Sequence, residues 1–491
     1  MKKIICMLLS VLLIAAVCSG CAGEPAVSGA AETVTDTKGG TPPAPPEGMP
    51  PEGGPGGMPP EGGPGGTPPE GGPGGMPPGG GPGGSAADID YKAVEEIRSA
   101  ETKNGLRCAS STADESALLI SAAGKVSIEN LTVTKSGDSD GGDACNFYGL
   151  NAAVLVKDGA QAEISGGTIT SDASGANGVF CYGGNGGRNG AEGDGTTLTL
   201  RDLTIVTTGS GSGGLMTTGG GVTYAYDLDV TTSGQSSAPI RTDRGGGTVT
   251  VDGGTYTSSG LGSPAIYSTA AVTVSDAALI SQLSDGVVIE GKNSVVLENC
   301  ALTADNTKCN GNARFLDAVM IYQSMSGDAD SGTASFTMRG GSLTCKSGHV
   351  FHVTNTNAVL TLEGVEIRSE APEKILLSVC DDGWSGASNA ATVKAVGQTL
   401  EGAIKVGDNS ALTLELTKSS HFEGSIDGSI TNARDETVSA DCGSVSLTLE
   451  AGSTWSLTGD SWLTEFRGDP ASIVSNGYTV FVDGVPLTGT K

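Results

Sequence analysis

Aromatic residues are scarce in this sequence, 4% in all, and there are only three histidines in 491 residues. That disfavours a compact multidomain enzyme with aromatic-rich cores, and leaves little material for a histidine-built centre. Basic side chains are also few. The 27 Lys and Arg face 55 Asp and Glu, giving a formal charge of −28 that repels phosphate backbones and argues against nucleic acid as a partner. None of the eight cysteines from Cys108 to Cys442 forms a C-x-x-C pair, so zinc-ribbon and thioredoxin-like readings lack their spacing. The longest apolar run, "IICMLLSVLLIAAV", is too short for a comfortable membrane span. What is present in quantity is glycine, 79 residues, with Ser, Thr, Asn and Asp between short apolar pairs, the composition of many short strands joined by tight turns.

The N-terminus reads as export. Lys2 and Lys3 precede the apolar run, so residues 1–20 form a signal peptide. Ser19 and Gly20 before Cys21 resemble a bacterial lipobox, with Cys18 in place of the usual Leu; Cys21 is then the lipidated residue, holding the chain at the extracellular face of the cell membrane through its lipid alone. Residues 21–87 are a disordered Gly/Pro tether with a nine-residue period, "MPPEGGPGG" at 49 and 58, then "TPPEGGPGG" and "MPPGGGPGG". Glycine does not fall at every third position, which excludes collagen. About 65 such residues reach roughly 45 Å as a coil and at most about 200 Å when extended. Acidic residues and near-helical apolar spacing in "DIDYKAVEEIRSAE" predict a helical cap within 88–121. The eight cysteines from Cys108 to Cys442 are too thinly spread for a disulfide scaffold, and are expected mostly as small buried hydrophobes.

From residue 122 a frame recurs. Its anchors are Ile128, Ile164, Leu200, Ala225, Val251, Val274, Leu297, Met338 and Leu362, at spacings of 36, 36, 25, 26, 23, 23, 41 and 24. Two residues after each stands Gly, Asn or Asp; five after stand Val133, Ile169, Ile205, Val230, Tyr256, Leu279, Leu302, Leu343 and Ile367. Each unit is a strand, a residue tolerant of positive φ, and a second strand facing the same interior. A unit this short cannot bury its own core, so the units must stack. The sequence therefore predicts an all-β chain, a single-stranded right-handed parallel β-helix over 122–485. Its C-terminal coils are degenerate, with Leu416 and Leu449 in a variant frame, and Trp455, Trp462 and Phe466 beside "GYTVFVDG" plug the end.

The coil "TVTVDGGTYT", the segment "VVIEGKNSVVLENC", and "YQSMSGD" together with the tether resemble extracellular β-helix proteins of the pectate-lyase-like superfold, more narrowly surface β-helix lipoproteins of Gram-positive bacteria. That resemblance implies carbohydrate as the usual ligand class, through lyases, hydrolases, esterases or adhesins; the fold alone does not choose among them. The residues leaving the apolar run before each anchor suggest one outward column, Cys181, Thr217, Arg241, Tyr267, Glu290, Tyr322, His352 and Ser378. Arg241, Asp243, Arg244, Tyr267, Glu290, Lys292, Tyr322, Gln323 and His352 are accordingly the candidate carbohydrate-binding residues, with rings to stack on sugars and polar groups for hydroxyls or acids.

Catalysis has less support. "CDDGW" offers Asp381 and Asp382, but the G-H-G and R-x-K elements of a polygalacturonase-like site are missing, and Arg241 with Asp243 lacks the acidic companions of a calcium-dependent lyase. "DSDGGD" at 138–143 puts Gly149 where an EF-hand needs Glu, and "GGNGGR" puts Arg188 where a calcium repeat needs Asp. His349 and His352 are expected as surface or turn residues, and no cofactor is implied beyond adventitious calcium at acidic turns. The sequence thus points to an adhesin-like, non-catalytic binder of a polysaccharide or host-matrix glycan. Polysaccharide lyase or glycoside hydrolase is the alternative, and a structural stalk the second alternative.

Overall fold

The computed structural model describes residues 89–491 apart from 140, 187–191 and 385, so the signal, Cys21 and the tether lie outside the described residues. Within it the predicted frame becomes hydrogen-bonding register. Ile128 pairs with Ile164, then Leu200, Ala225, Val251, Val274, Leu297, Met338 and Leu362, all through parallel ladders. The second column, Val133 to Ile367, is in register in the same way. Every anchor is buried. All nine residues at the bend between the two columns have positive φ, from 50° at Asp227 to 74° at Gly253. Asn and Asp tolerate this region and Gly enters it freely, which is why the bend is limited to those three residue types.

The chain is a parallel β-helix with three faces. The anchors form the first and the plus-five residues the second. The third is built from short strands such as Ile240–Thr242, Ile266–Ser268, Val287–Glu290, Asp317–Tyr322, His349–Thr354 and Ile375–Val379. Between the faces lies one continuous apolar core, each fully buried aliphatic side chain contributing roughly 1.5–3 kcal/mol. Cys108, Cys145, Cys181, Cys300, Cys345 and Cys380 are buried in keeping with the composition-based expectation.

Three departures from the sequence reading stand out. Residues 92–104 form a strand, not a helical cap: Lys92–Asn104 pairs in parallel with 115–129 and sends Ile97 into the core. The lowest rung presents unpaired backbone groups, and a paired strand satisfies them where a helix would not. The stack also contains a coil that the frame did not reveal, because its anchor is small: Ala395 pairs with Leu362 and Leu416, followed by Gly397 at φ 56° and Leu400. At the upper end, Trp455 lies inside the core stacked on Phe422 at 5.7 Å, whereas Trp462, stacked on Phe481 at 5.8 Å, and Phe466, which pairs with Leu447 and packs half-buried against the core, belong to the terminal coils.

Candidate functional site

The third face carries the chemistry, and its register differs from the single column read from the sequence. Arg241 pairs with Met216 below and Tyr267 above; the column then runs through Val288, Met320, His352, Ser378, Lys405 and Asp427. Glu290 and Tyr322 pair with each other two positions further along their strands. Three rows had thus been merged into one, since Cys181 and Thr217 belong to a buried inward row that continues at Thr242; loops of unequal length separate the second face from the third, and counting from the anchor loses register there. In the lower coils the same row is apolar, Leu119, Leu155, Phe180 and Met216, and is covered by Phe147 and Tyr148 of the short helix Asp143–Tyr148.

At mid-height a polar network takes over. Glu290, only 1% exposed, accepts hydrogen bonds from the hydroxyls of Tyr267 and Ser324, from Tyr322 at 3.1 Å and from Ser326 at 3.4 Å. Burial, and then the neighbouring acidic groups, push both tyrosine hydroxyls well above their usual range, so they remain neutral donors. The carboxylate therefore fixes two rings and the start of the 323–332 loop. Arg244 holds the same loop by donating to Asp328 at 2.6 Å, with its guanidinium over the Phe147 ring at 4.1 Å. Lys292 pairs with Asp330 at 3.0 Å, and Gln323 Nε2 donates to the carbonyls of Ser324 and Ala329.

The Arg241–Asp243 knot is internally satisfied. Arg241 Nη2 donates to Asp243 Oδ2 at 3.1 Å and Nη1 to the Ser236 carbonyl, while Asp243 Oδ1 accepts from the Arg244 backbone N–H. With its side chain 11% exposed, Arg241 is engaged within the scaffold. Burial raises the Asp243 carboxyl to about 7, outweighing the opposing pull of Arg241. Because the unfolded value is about 3.9, the folded chain holds this proton more tightly. The Asp243 contribution to stability is thus greatest below about pH 4, declines as pH rises toward 7 and is level above. Asp243→Asn is expected to remove that decline, narrowing the gap in urea-unfolding free energy between pH 5 and pH 8 by about 2 kcal/mol. An unchanged gap would show that Asp243 is ionised throughout.

Beside Glu290 the 305–316 loop stands off the face and closes one side of a cleft of about 320 Å³. Tyr267, Tyr322 and Trp384 supply aromatic surface; Asn306, Lys308, Asn310 and Asn312 supply polar groups. Trp384 meets Tyr322 edge-on at 5.1 Å, and its indole N–H is buried without a protein partner. The loop is pinned by Asn306 Nδ2 donating to Asp285 at 3.2 Å and by the Arg314 backbone N–H donating to Asp382 at 2.8 Å. Both loops, 305–316 and 323–332, belong to the coil whose anchor spacing is 41, and Trp384 follows Leu362 in another enlarged coil. Outliers in the repeat length were therefore the available signal for Asn306, Asn310, Asn312 and Trp384, which residue-type reasoning missed.

Of the candidate residues, the fold brings Tyr267, Glu290 and Tyr322 together, places Arg241, Asp243, Arg244, Lys292 and Gln323 in supporting contacts, and sends His352 elsewhere. His349 and His352 are 8% and 0% exposed, contrary to the expectation of surface or turn positions. The strand bends at Val350–Phe351, where two consecutive side chains enter the core, so residues 349 and 352 both face outward beneath Phe315. Compared with protein-family models, curated proteins and solved structures, the chain matches none.

Proposed function

We propose that the third face binds a short segment of an extracellular saccharide in the cleft between the 305–316 loop and the wall of Tyr267, Tyr322 and Trp384, without turning it over. The supporting observation is the cleft itself: four aromatic rings, those of Tyr267, Phe315, Tyr322 and Trp384, beside three asparagines, with an unpartnered indole N–H, make a lining suited to a neutral polyhydroxylated ligand. The export signal, the lipobox at Cys21 and the long tether favour display at the outer face of the membrane, where polysaccharides and host glycans are encountered. In this reading Arg241 braces Asp243 and Arg244 holds the 323–332 loop, and contact with the saccharide is left to the cleft lining.

Hydrolysis fits the cleft less well. Asp285, raised to about 6 chiefly by burial, would suit a general acid, but it is the only acidic side chain among the described residues lining the cleft. Glycoside hydrolysis ordinarily needs a second carboxylate across the scissile bond. A glycan array is expected to give saccharide signals that fall at least tenfold in Trp384→Ala and Asn310→Ala and persist in Arg201→Ala, whose side chain lies on another face over Tyr226. Release of reducing ends or unsaturated products from any bound polymer would move the assignment to an enzyme. Silence of the wild-type protein across the array would leave a structural stalk.

A further inference from the structure

Behind Phe315, outside the cleft lining apart from that ring, Asp317, His349 and His352 each offer one ligand atom, and those atoms all lie within 4.8 Å of one another. The three residues are 1%, 8% and 0% exposed. Two come from a cross-rung pair, Asp317 opposite His349, and the third from the same strand past the Val350–Phe351 bend. We propose that Asp317, His349 and His352 form a buried binding site for a first-row divalent transition metal, best matched by Zn²⁺, with the Asp382 carboxylate as the fourth donor.

Three features carry this inference. Asp317 Oδ1, His352 Nε2 and Asp382 Oδ2 are all buried without a hydrogen-bond partner, in a region where such groups are costly to leave unmet. His352 Nε2 and Asp382 Oδ2 stand 3.9 Å apart, beyond hydrogen-bond reach yet close enough to share an ion after a small contraction. Finally, Nδ1 of both histidines meets one atom, Ser378 Oγ, at 2.8 and 2.7 Å. A hydroxyl oxygen has two lone pairs, so it can accept both Nδ1–H groups, which leaves both Nε2 lone pairs available. Fixing the tautomer and ring orientation of ligating imidazoles through the other nitrogen is what an outer hydrogen bond does at metal sites.

The donor set narrows the choice of ion. Two imidazoles and two carboxylates suit zinc and its first-row neighbours better than calcium or magnesium, which take all-oxygen shells. On a tetrahedral ion with bonds of about 2.0–2.1 Å, donor atoms sit about 3.4 Å apart, so the three clustered donors must draw in by about an ångström when loaded, and Asp382, outside that cluster, must swing in further. Two carboxylates also balance a divalent charge. A bound ion would join three successive rungs, through Asp317, the two histidines and the segment after Ser378. It would also fix Phe315, which stacks on His352 at 4.4 Å and roots the 305–316 loop.

The test uses the tether-bearing chain without signal sequence or affinity tag, unfolded with chelator and refolded with Zn²⁺ or with Co²⁺ as an optical probe. After removal of loose metal, the expected results are one zinc per chain by mass spectrometry, visible d–d bands for cobalt, and a rise of several degrees in melting temperature over the metal-free protein. Asp317→Asn and His349→Gln are expected to drop zinc to background, whereas His421→Gln, a half-buried residue outside the cluster that bonds Thr454, retains it. Substoichiometric zinc with no cobalt bands in the refolded wild type, or a melting temperature indifferent to zinc, overturns the site, as does full zinc content in Asp317→Asn. The wild-type measurements decide the matter even if a variant fails to fold, and they do not depend on saccharide binding.

Discussion

Gly234→Ala is expected to destabilise the β-helix by about 3 kcal/mol or more, through steric contact alone. A Cβ on Gly234 would lie 1.8 Å from the carbonyl oxygen of Gly209 in the rung below, and one on Gly260 would lie 1.8 Å from that of Gly234. Gly209 stands in the same relation to Ala173, at 1.9 Å. Positive φ is not involved at these three positions, so the effect isolates rung spacing, which is about 4.8 Å in a parallel stack. Nor can the backbone yield readily. Three residues after each glycine is a buried serine, and these clamp the corner: Ser237 N donates to Ser263 Oγ, Ser212 N to Ser237 Oγ and Ala176 N to Ser212 Oγ, all at 2.9 Å. Ser263 Oγ and Ser237 Oγ in turn donate to the carbonyls of Gly234 and Gly209, at 2.8 and 3.1 Å. Widening one gap would break this ladder. Urea unfolding of the variant checks the expectation, and an unfolding free energy within about 0.5 kcal/mol of wild type would mean that rung spacing is not set at this corner.

Glu290→Ala is expected to cost about 3–5 kcal/mol and to free the 323–332 loop. The side chain is an acceptor for four hydroxyls, and its removal strands those of Tyr267 and Tyr322 in a buried setting. Arg244 would still hold Asp328, so the loop should remain attached at one point while its Ser324–Ser326 end opens. Limited proteolysis should then cut within 323–332 in the variant and leave that loop of the wild type intact, and saccharide binding should weaken because both tyrosines line the cleft. Glu290→Gln keeps an acceptor oxygen and should recover part of the loss. Equal protease resistance in Glu290→Ala and wild type would show that the loop is held by its ion pairs alone.

Legibility in the sequence divided along the faces of the prism. Val251, Asp227 and Tyr256 could be placed without coordinates because anchor, bend and second strand lie within a handful of residues, too few for insertions to disturb their count. Ala395 escaped because a methyl group carries little hydrophobic signal, although the stack accepts it as it does Ala225. Residues 92–104 escaped because a strand on the terminal rung is favoured by its neighbour's unpaired backbone, which no local pattern records. For the third face, Arg241 and Glu290 were picked out by type but assigned to one row, since the loops preceding them differ in length from rung to rung.

By itself the sequence determined the repeat, the inward columns and the positive-φ bend, because short-range sterics and the burial of Val, Ile and Leu dictate them within each rung. Only the tertiary structure decided which polar side chains meet. The cleft, the Glu290 network and the Asp317–His349–His352 cluster are each assembled from different rungs and from loops folded back over one face, so their distances depend on how the rungs stack and not on any stretch of chain.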